Sequence, residues 1–161
     1  MRCSRHLFES VLVPLDGSEH SLRALDLAIQ IAKEYNGKLA LIHVYSVSVR
    51  PVILPEPATL TPSSVPMVTA EEISKVAEAN RVVGERILTD GERRATAEQI
   101  PVETMLREGQ TVQEIVKASK EGKFDLIVIG ARGMSKIREL LSGSVTDGVI
   151  RHSSCPVLVV K

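Results

Sequence analysis

The sequence predicts a single α/β domain, residues 1–161, with an open five-stranded parallel sheet and helices on both faces. Two observations lead to this fold class. Short runs rich in β-branched residues alternate with longer segments of helical period, which is the pattern of successive βαβ units. The chain is 43% hydrophobic but only 2% aromatic, so aliphatic side chains packed between layers must form the core. We expect the common strand order 3-2-1-4-5.

The first two strands and the helix between them have clear sequence boundaries. A strand is predicted at residues 10–13 and a second at 39–45. A helix beginning near Ser18 presents one apolar stripe, and Gly37 is predicted to end it. The residues of this stripe are Leu22, Leu25, Ala28, Ile29 and Ala32.

A proline-rich segment separates the second strand from a long helix. Five prolines lie within residues 50–67, and we predict a loop over about 46–68. Thr69 and Glu72 have the spacing of a capping box, which predicts the start of a helix that ends before Pro101. Its predicted apolar stripe consists of Ile73, Val76, Ala77, Val83, Ile87 and Leu88.

The third strand and its following helix are predicted from a similar pattern. The strand is expected at residues 102–106. Thr111 and Glu114 repeat the capping-box spacing, which predicts a short helix that reaches about Lys120.

The remaining elements surround a segment that contains glycine. A fourth strand is predicted at residues 124–129 and a last strand at 157–160. Between them, a helix is expected from about 144 to 151.

The predicted strand order points to one edge of the sheet as the ligand site. In an open parallel sheet, ligands bind beyond the carboxyl ends of strands where neighbouring connections leave on opposite faces. With the order 3-2-1-4-5, these are the loops after strands one and four. Residues 14–18 and 130–133 form these loops, and both are rich in glycine and polar residues.

The chemistry of this region suits a polyphosphate. Gly130 and Gly133 allow backbone amides to approach a bulky anion, and the helix that opens at Gly143 offers free N–H groups at a positive dipole end. Further donors or charge come from Arg132, Ser144 and Thr146. In the alternative interpretation, the glycines only turn the chain and Ser144 only caps a helix.

Several other functions are disfavoured. The sequence lacks GxxxxGK[ST], and the loop after the first strand has one glycine where a dinucleotide fingerprint needs three. Twenty basic and twenty acidic residues give no bulk positive field for nucleic acid. Neither histidines nor cysteines have metal-ligand spacing. With no segment that reads as a signal peptide or membrane span, we expect a cytoplasmic protein.

One spaced set of residues resembles a known signature. Its members are Gly130, Gly133, Gly143 and Ser144. This spacing resembles the G-x2-G-x9-G-[S/T] signature of ATP-binding universal stress proteins. The resemblance extends from residues 11–18, VLVPLDGS, to residues 154–160, SCPVLVV, and so covers nearly the whole chain.

The resemblance implies a fold like that of the adenine nucleotide alpha hydrolases and an adenine nucleotide ligand: ATP, ADP or AMP. Mg²⁺ or Mn²⁺ would be held mainly through the phosphates. Asp16 is expected against the nucleoside, in a wall that includes Pro14 and Leu15. The main chain of Val44 is expected at the adenine edge, with Ile129 beside it. The positions that match those around ribose and phosphates are Gly130, Arg132, Gly133, Gly143, Ser144, Val145 and Thr146.

The resemblance also implies a homodimer, because in similar proteins the last strands of two subunits pair antiparallel. The apolar strand at 157–160 has an unpaired edge that suits this. We expect a nucleotide-dependent regulator in a stress response, with a protein partner still to be identified, and not an enzyme. Two alternatives stay open: a slow ATPase or autophosphorylating phosphotransferase, for which no base is evident near a γ-phosphate, and a dimeric scaffold without ligand.

Overall fold

The computed structural model describes residues 7–46, 69–133 and 143–161. The predicted proline-rich loop, from residue 47 onward to 68, lies outside the described residues. In the described ranges, strands and helices alternate along the chain. They are β1 (Ser10–Pro14), α1 (Glu19–Tyr35), β2 (Lys38–Tyr45), α2 (Ala70–Ala97), β3 (Val102–Glu108), α3 (Thr111–Glu121), β4 (Leu126–Gly130), α4 (Ser144–His152) and β5 (Val157–Val160).

All the strands are parallel and lie in the order β3-β2-β1-β4-β5, which confirms the predicted fold class and order. The central strand β1 is buried on both faces, as a near-continuous apolar run in a parallel sheet predicts. Val11 and Val13 pack on the face that α1 and α2 cover. Leu12 packs on the opposite face with Ile115 of α3 and Val149 of α4. The connections from β1 and β4 therefore leave on opposite faces.

Two of the predicted helix starts are confirmed by their capping bonds. Ser18 is the N-cap of α1, and its hydroxyl oxygen accepts from the Ser21 amide at 3.2 Å. Thr69 and Glu72 form the reciprocal capping box of α2, with amide-to-side-chain distances of 2.8 and 3.2 Å. The hydrogen bonds from Thr69 lower the pKa of the Glu72 carboxyl below its usual value.

The second predicted capping box is wrong. Thr111 is already the first residue of α3, and the N-cap is Gln110, which makes no side-chain capping bond to any described residue. Glu114 instead lies 3.5 Å from the Arg107 guanidinium on β3. The Glu114 carboxylate, which the capping-box spacing assigned to the start of α3, therefore pairs with an arginine on the preceding strand.

The end of α1 also differs from the prediction in one residue. The left-handed conformation falls on Asn36, with φ of 54°, and not on Gly37. Gly37 is required for a different reason, because a Cβ there would lie 2.5 Å from the Phe8 carbonyl oxygen.

The long helix α2 extends beyond the sheet. Its 28 residues span about 42 Å at 1.5 Å per residue, whereas the eight residues of β2 span about 27 Å. The Asn80 side chain donates to the Ser46 carbonyl at 3.1 Å and marks the end of β2 along the helix. No helix in the described part of the chain combines the length and apolar character that a membrane span requires.

The predicted apolar stripe of α2 is only partly buried. Leu88 is buried, but Ile73, Val76 and Val83 are 36%, 45% and 52% exposed. The residues that contact the sheet most closely are small, Gly84, Gly91 and Ala95. The stripe was therefore correct for the C-terminal half and wrong for the N-terminal half.

Candidate functional site

A cleft of about 390 Å³ opens at the carboxyl edge of the sheet, between the loops that follow β1 and β4. This is the switch point where the two connections diverge. All the predicted site residues except Thr146 line it: Pro14, Leu15, Asp16, Val44, Ile129, Gly130, Arg132, Gly133, Gly143, Ser144 and Val145. The lining also includes residues that were not predicted: Ser21, Ile42, His43, Thr111 and Ile115.

The first loop is held against β2 by its backbone. The Leu15 amide donates to the Ile42 carbonyl at 2.8 Å. The Leu15 carbonyl lies 2.7 Å from Nδ1 of His43, and since a carbonyl can only accept, this ring nitrogen carries the proton. The Asp16 carboxylate accepts from the Ser18 amide at 3.0 Å and so shapes the turn into α1. The wall that Leu15 and Asp16 form is therefore fixed by two neighbouring elements.

The end of β2 presents main-chain groups to the cleft. The Ile42 carbonyl bonds Leu15 on the β1 side, and the Tyr45 carbonyl accepts from the Gly109 amide on the β3 side at 3.0 Å. Successive residues of a strand direct their amide and carbonyl to alternate sides. The N–H and C=O of Val44 therefore face the β1 side, where the pairing of β1 with β2 has already ended at Pro14.

The two loops contact each other directly. The Ser18 hydroxyl, which caps α1, also donates to the Arg132 carbonyl at 3.4 Å. At Gly133, a Cβ would lie 2.5 Å from a carboxylate oxygen of Asp16. The loops that follow β1 and β4 therefore form one continuous surface.

The three glycines of the spaced motif differ in what a side chain at each position would meet. A Cβ on Gly130 would lie 2.7 Å from the His20 carbonyl carbon and 2.8 Å from the Ser21 amide nitrogen, so the backbone of α1 excludes any side chain there. At Gly143, the nearest described atom, the Ala131 carbonyl oxygen, is 3.5 Å away, which is ordinary contact. The described protein atoms therefore leave room for a side chain at Gly143 alone among the three.

The N-terminus of α4 supplies oriented donors. Gly143 is its N-cap, and the first intrahelical bond runs from the Asp147 amide to the Gly143 carbonyl at 3.0 Å. The amides of Ser144, Val145 and Thr146 precede that bond and belong to the helix-opening groups that have no intrahelical acceptor. Together with the helix dipole they favour an anion at this end of the cleft.

Thr146 differs from its predicted role. Its side chain is buried, 3% exposed, and its hydroxyl donates to the Gly130 carbonyl at 2.8 Å. The hydroxyl therefore bonds within the protein instead of facing the cleft, and only the Thr146 amide belongs to the helix opening.

The rest of the cleft is largely apolar. Among its described lining residues, Asp16 and Arg132 carry the formal charges. The apolar lining side chains include Ile42, Ile115 and Ile129. No group of His, Cys, Asp and Glu within the described ranges is arranged to hold a metal ion. The cleft thus combines an apolar hollow with one amide-rich end, a combination suited to a flat ring joined to an anion.

An open parallel sheet of this order, with a cleft at its switch point, defines a doubly wound α/β protein. The model of the Universal stress protein family matches residues 7–161, and the chain belongs to this family. Universal stress protein YxiE of Bacillus subtilis is 32% identical over 155 residues, which cover 96% of this chain and 100% of that relative.

Two solved structures place the chain among its structural neighbours. The universal stress protein UspA from Lactobacillus plantarum has a TM-score of 0.77 and 24% identity, with 96% of this chain and 99% of that chain covered. At that identity the likeness shows the fold. A universal stress protein in complex with cAMP has a TM-score of 0.65 and 30% identity, with 96% and 97% of the two chains covered.

We predict that Gly130→Ala destabilises the fold whereas Gly143→Ala does not do so to the same extent. The new methyl group at 130 meets immobile backbone and should lower the free energy of unfolding by about 1–3 kcal/mol. At 143 the change only weakens a helix cap, by about 0.5 kcal/mol. Urea unfolding of both variants measures the difference, and equal losses would contradict the close approach of α1 to Gly130.

Proposed function

We propose that this protein binds an adenine nucleotide, ATP in the first place, in the cleft at the switch point, and acts as a nucleotide-dependent regulator and not as an enzyme. The observation that carries the proposal is that a Cβ at 143 would meet the described atoms only at ordinary contact distance, 3.5 Å or more, beside the amides of Ser144 and Val145. The protein's own described atoms do not require a glycine at 143, whereas an anion that approaches those amides does. The related protein solved with cAMP supports a ligand of this class.

The nucleoside is assigned to the side of the cleft formed by β1 and β2. The N–H and C=O of Val44 point into the cleft as an adjacent donor and acceptor, which is the pair that an adenine edge can match. The Ile129 side chain lies in the same lining and offers an apolar surface to the ring. Asp16 in the adjoining wall would then face the ribose.

The phosphates are assigned to the α4 end of the cleft. Arg132 is the lining cation there, so oriented amides must supply most of the stabilisation of a highly charged tail. A Mg²⁺ or Mn²⁺ ion would therefore be held mainly through phosphate oxygens and water, because the described lining offers Asp16 as its carboxylate. Binding should accordingly strengthen when either ion is added with ATP.

We predict that Gly143→Val prevents nucleotide binding while the protein stays folded. A Cβ at 143 meets the Ala131 carbonyl oxygen at ordinary contact, and the branched side chain beyond it would occupy the space that the phosphates need. Isothermal titration with ATP and Mg²⁺ should give a dissociation constant at least about 100-fold weaker than that of the unchanged chain, a loss of about 3 kcal/mol.

The matched control is Ala97→Val, an exposed residue at the far end of α2, which should bind ATP normally. Nucleotide released from the purified, denatured protein identifies the resident ligand. Formation of ADP is followed while fresh protein is incubated with ATP and Mg²⁺. Full ATP affinity in folded Gly143→Val would overturn this placement of the phosphates. Turnover of about 1 s⁻¹ or faster would instead favour an ATPase.

We predict a smaller loss for Ser144→Ala. Its side chain lines the cleft at the start of α4, and one hydrogen bond from a hydroxyl to a charged phosphate contributes about 1–2 kcal/mol. The ATP dissociation constant should rise about 5- to 30-fold by titration calorimetry. Ser154→Ala, exposed in the loop before β5, should leave it unchanged, and equal constants for both variants would remove Ser144 from the site.

We also propose a homodimer in which the β5 strands of two copies pair antiparallel. The β4 side of β5 is occupied, because Ile127 and Ala131 donate to the Pro156 and Val160 carbonyls. Because main-chain groups of successive residues point to alternate sides of a strand, the amide of Val159 faces the free edge of the sheet. Leu158 adds an apolar side chain that is 36% exposed.

We predict that Val159→Pro yields a monomer, because it removes an outward N–H that pairing with a second copy needs. Val159→Thr keeps this amide and should remain a dimer. Sedimentation velocity at micromolar concentration distinguishes the two. A proline variant that sediments as a dimer, or an unchanged chain that is monomeric with and without ATP, would rule out pairing through β5.

A further inference from the structure

We propose that Thr146 is a positioning residue of the nucleotide site: its buried hydroxyl, bonded to the Gly130 carbonyl, sets the position of the α4 amides that receive the phosphates. This inference rests on the proposed nucleotide function. It gives Thr146 a role distinct from direct contact through its hydroxyl.

The Thr146 side chain is committed to the protein interior. It is 3% exposed, and Oγ1 lies 2.8 Å from the Gly130 oxygen. To reach a phosphate in the cleft, the hydroxyl would have to leave this bond and strand a buried carbonyl. An unsatisfied buried acceptor is costly, so the observed bond is the favourable state with a ligand as well as without one.

The Gly130 carbonyl needs this donor because of its place at the switch point. The Ala131 amide donates to Val160 on β5. Because main-chain groups of successive residues point to alternate sides of a strand, the carbonyl of Gly130 faces the opposite side, toward β1. The pairing of β1 with β4 runs through Leu12↔Ile127, three residues before Gly130. At Gly130 the sheet has opened, and the Thr146 hydroxyl replaces a strand amide as donor.

A second bond makes the attachment of α4 a two-point clamp. The Gly143 amide donates to the Ala131 carbonyl at 2.7 Å. Two consecutive carbonyls at the end of β4 are therefore held by residues 143 and 146, nearly one helical turn apart. A single bond would leave the direction of the helix opening unrestrained, whereas a second bond restricts it.

The groups between the two bonds are the ones that face the anion. Ser144 and Val145 line the cleft and lie between the anchors Gly143 and Thr146. With the clamp intact, their amides do not have to reorganise when a phosphate binds, which preserves affinity. Loss of the Thr146 hydroxyl should therefore weaken phosphate binding selectively, because the nucleoside wall on β1 and β2 does not include this bond.

The test compares Thr146→Val, which keeps the shape and removes the donor, with Thr146→Ser, which keeps the donor. Dissociation constants for ATP, AMP and adenosine are measured by titration calorimetry with Mg²⁺. We expect Thr146→Val to raise the dissociation constant about 10-fold for ATP and less than about 2-fold for adenosine. For Thr146→Ser, the ATP dissociation constant should stay within about 3-fold of that of the unchanged chain.

Equal losses of affinity for ATP and adenosine in Thr146→Val would mean that Thr146 has only a general structural role, contrary to the inference. An unchanged dissociation constant for ATP in this variant would also overturn the inference. Urea unfolding checks the fold, and Thr146→Ala replaces the valine variant if the latter does not fold.

A second readout does not depend on a ligand. The ¹⁵N order parameters of the Ser144 and Val145 amides should fall in Thr146→Val and remain unchanged in Thr146→Ser. If the unchanged chain binds none of the three compounds, the proposed function fails. In that case the order parameters still decide the clamp, because unchanged values in Thr146→Val would refute it.

Discussion

The close approach of α1 to the end of β4 is the constraint on which the site depends. The backbone of His20 and Ser21 occupies the place where residue 130 would carry a Cβ, and only glycine permits that contact. This approach brings the first turn of α1 to the loop after β4, where the hydroxyl of Ser18 bonds the Arg132 carbonyl. Through this approach, the two loops that leave on opposite faces share a surface.

The cleft relies on backbone groups more than on charged side chains. One arginine and one aspartate lie in its described lining, while β2 and α4 direct main-chain groups toward it. Oriented amides do not require a long side chain to be ordered when an anion binds, and in a partly apolar hollow they act more strongly than in water.

The same bonds that build the cleft connect it to other parts of the sheet. Ala131 donates to Val160 on β5 and accepts from Gly143 at the start of α4. His43 joins the Leu15 carbonyl to β2, and its ring also packs against Gly84 of α2, where a Cβ would lie 2.5 Å from the ring carbon. The edge strand and the long helix are therefore each a few contacts from the cleft.

The amino-acid sequence by itself determined the features that depend on near neighbours along the chain. Strand and helix alternation and the helix starts near Ser18 and at Thr69 follow from local patterns and predicted the fold, whereas most of the cleft residues were predicted from the resemblance carried by the Gly130 to Ser144 spacing. Tertiary structure decided which partner each polar side chain takes. Glu114 pairs with an arginine on β3 and not with its own helix end, and the Thr146 hydroxyl turns to Gly130.

Residues such as His43 and Thr111 escaped prediction for the same physical reason. Their place in the cleft follows from strands and helices that are distant in sequence and meet only in the folded sheet. The exposure of Ile73 and Val76 on α2 is a matter of helix length, since a periodic apolar pattern does not reveal where the sheet beneath it ends. Local propensity acts over a few residues, whereas packing and hydrogen-bond partners depend on all the atoms that the fold brings together.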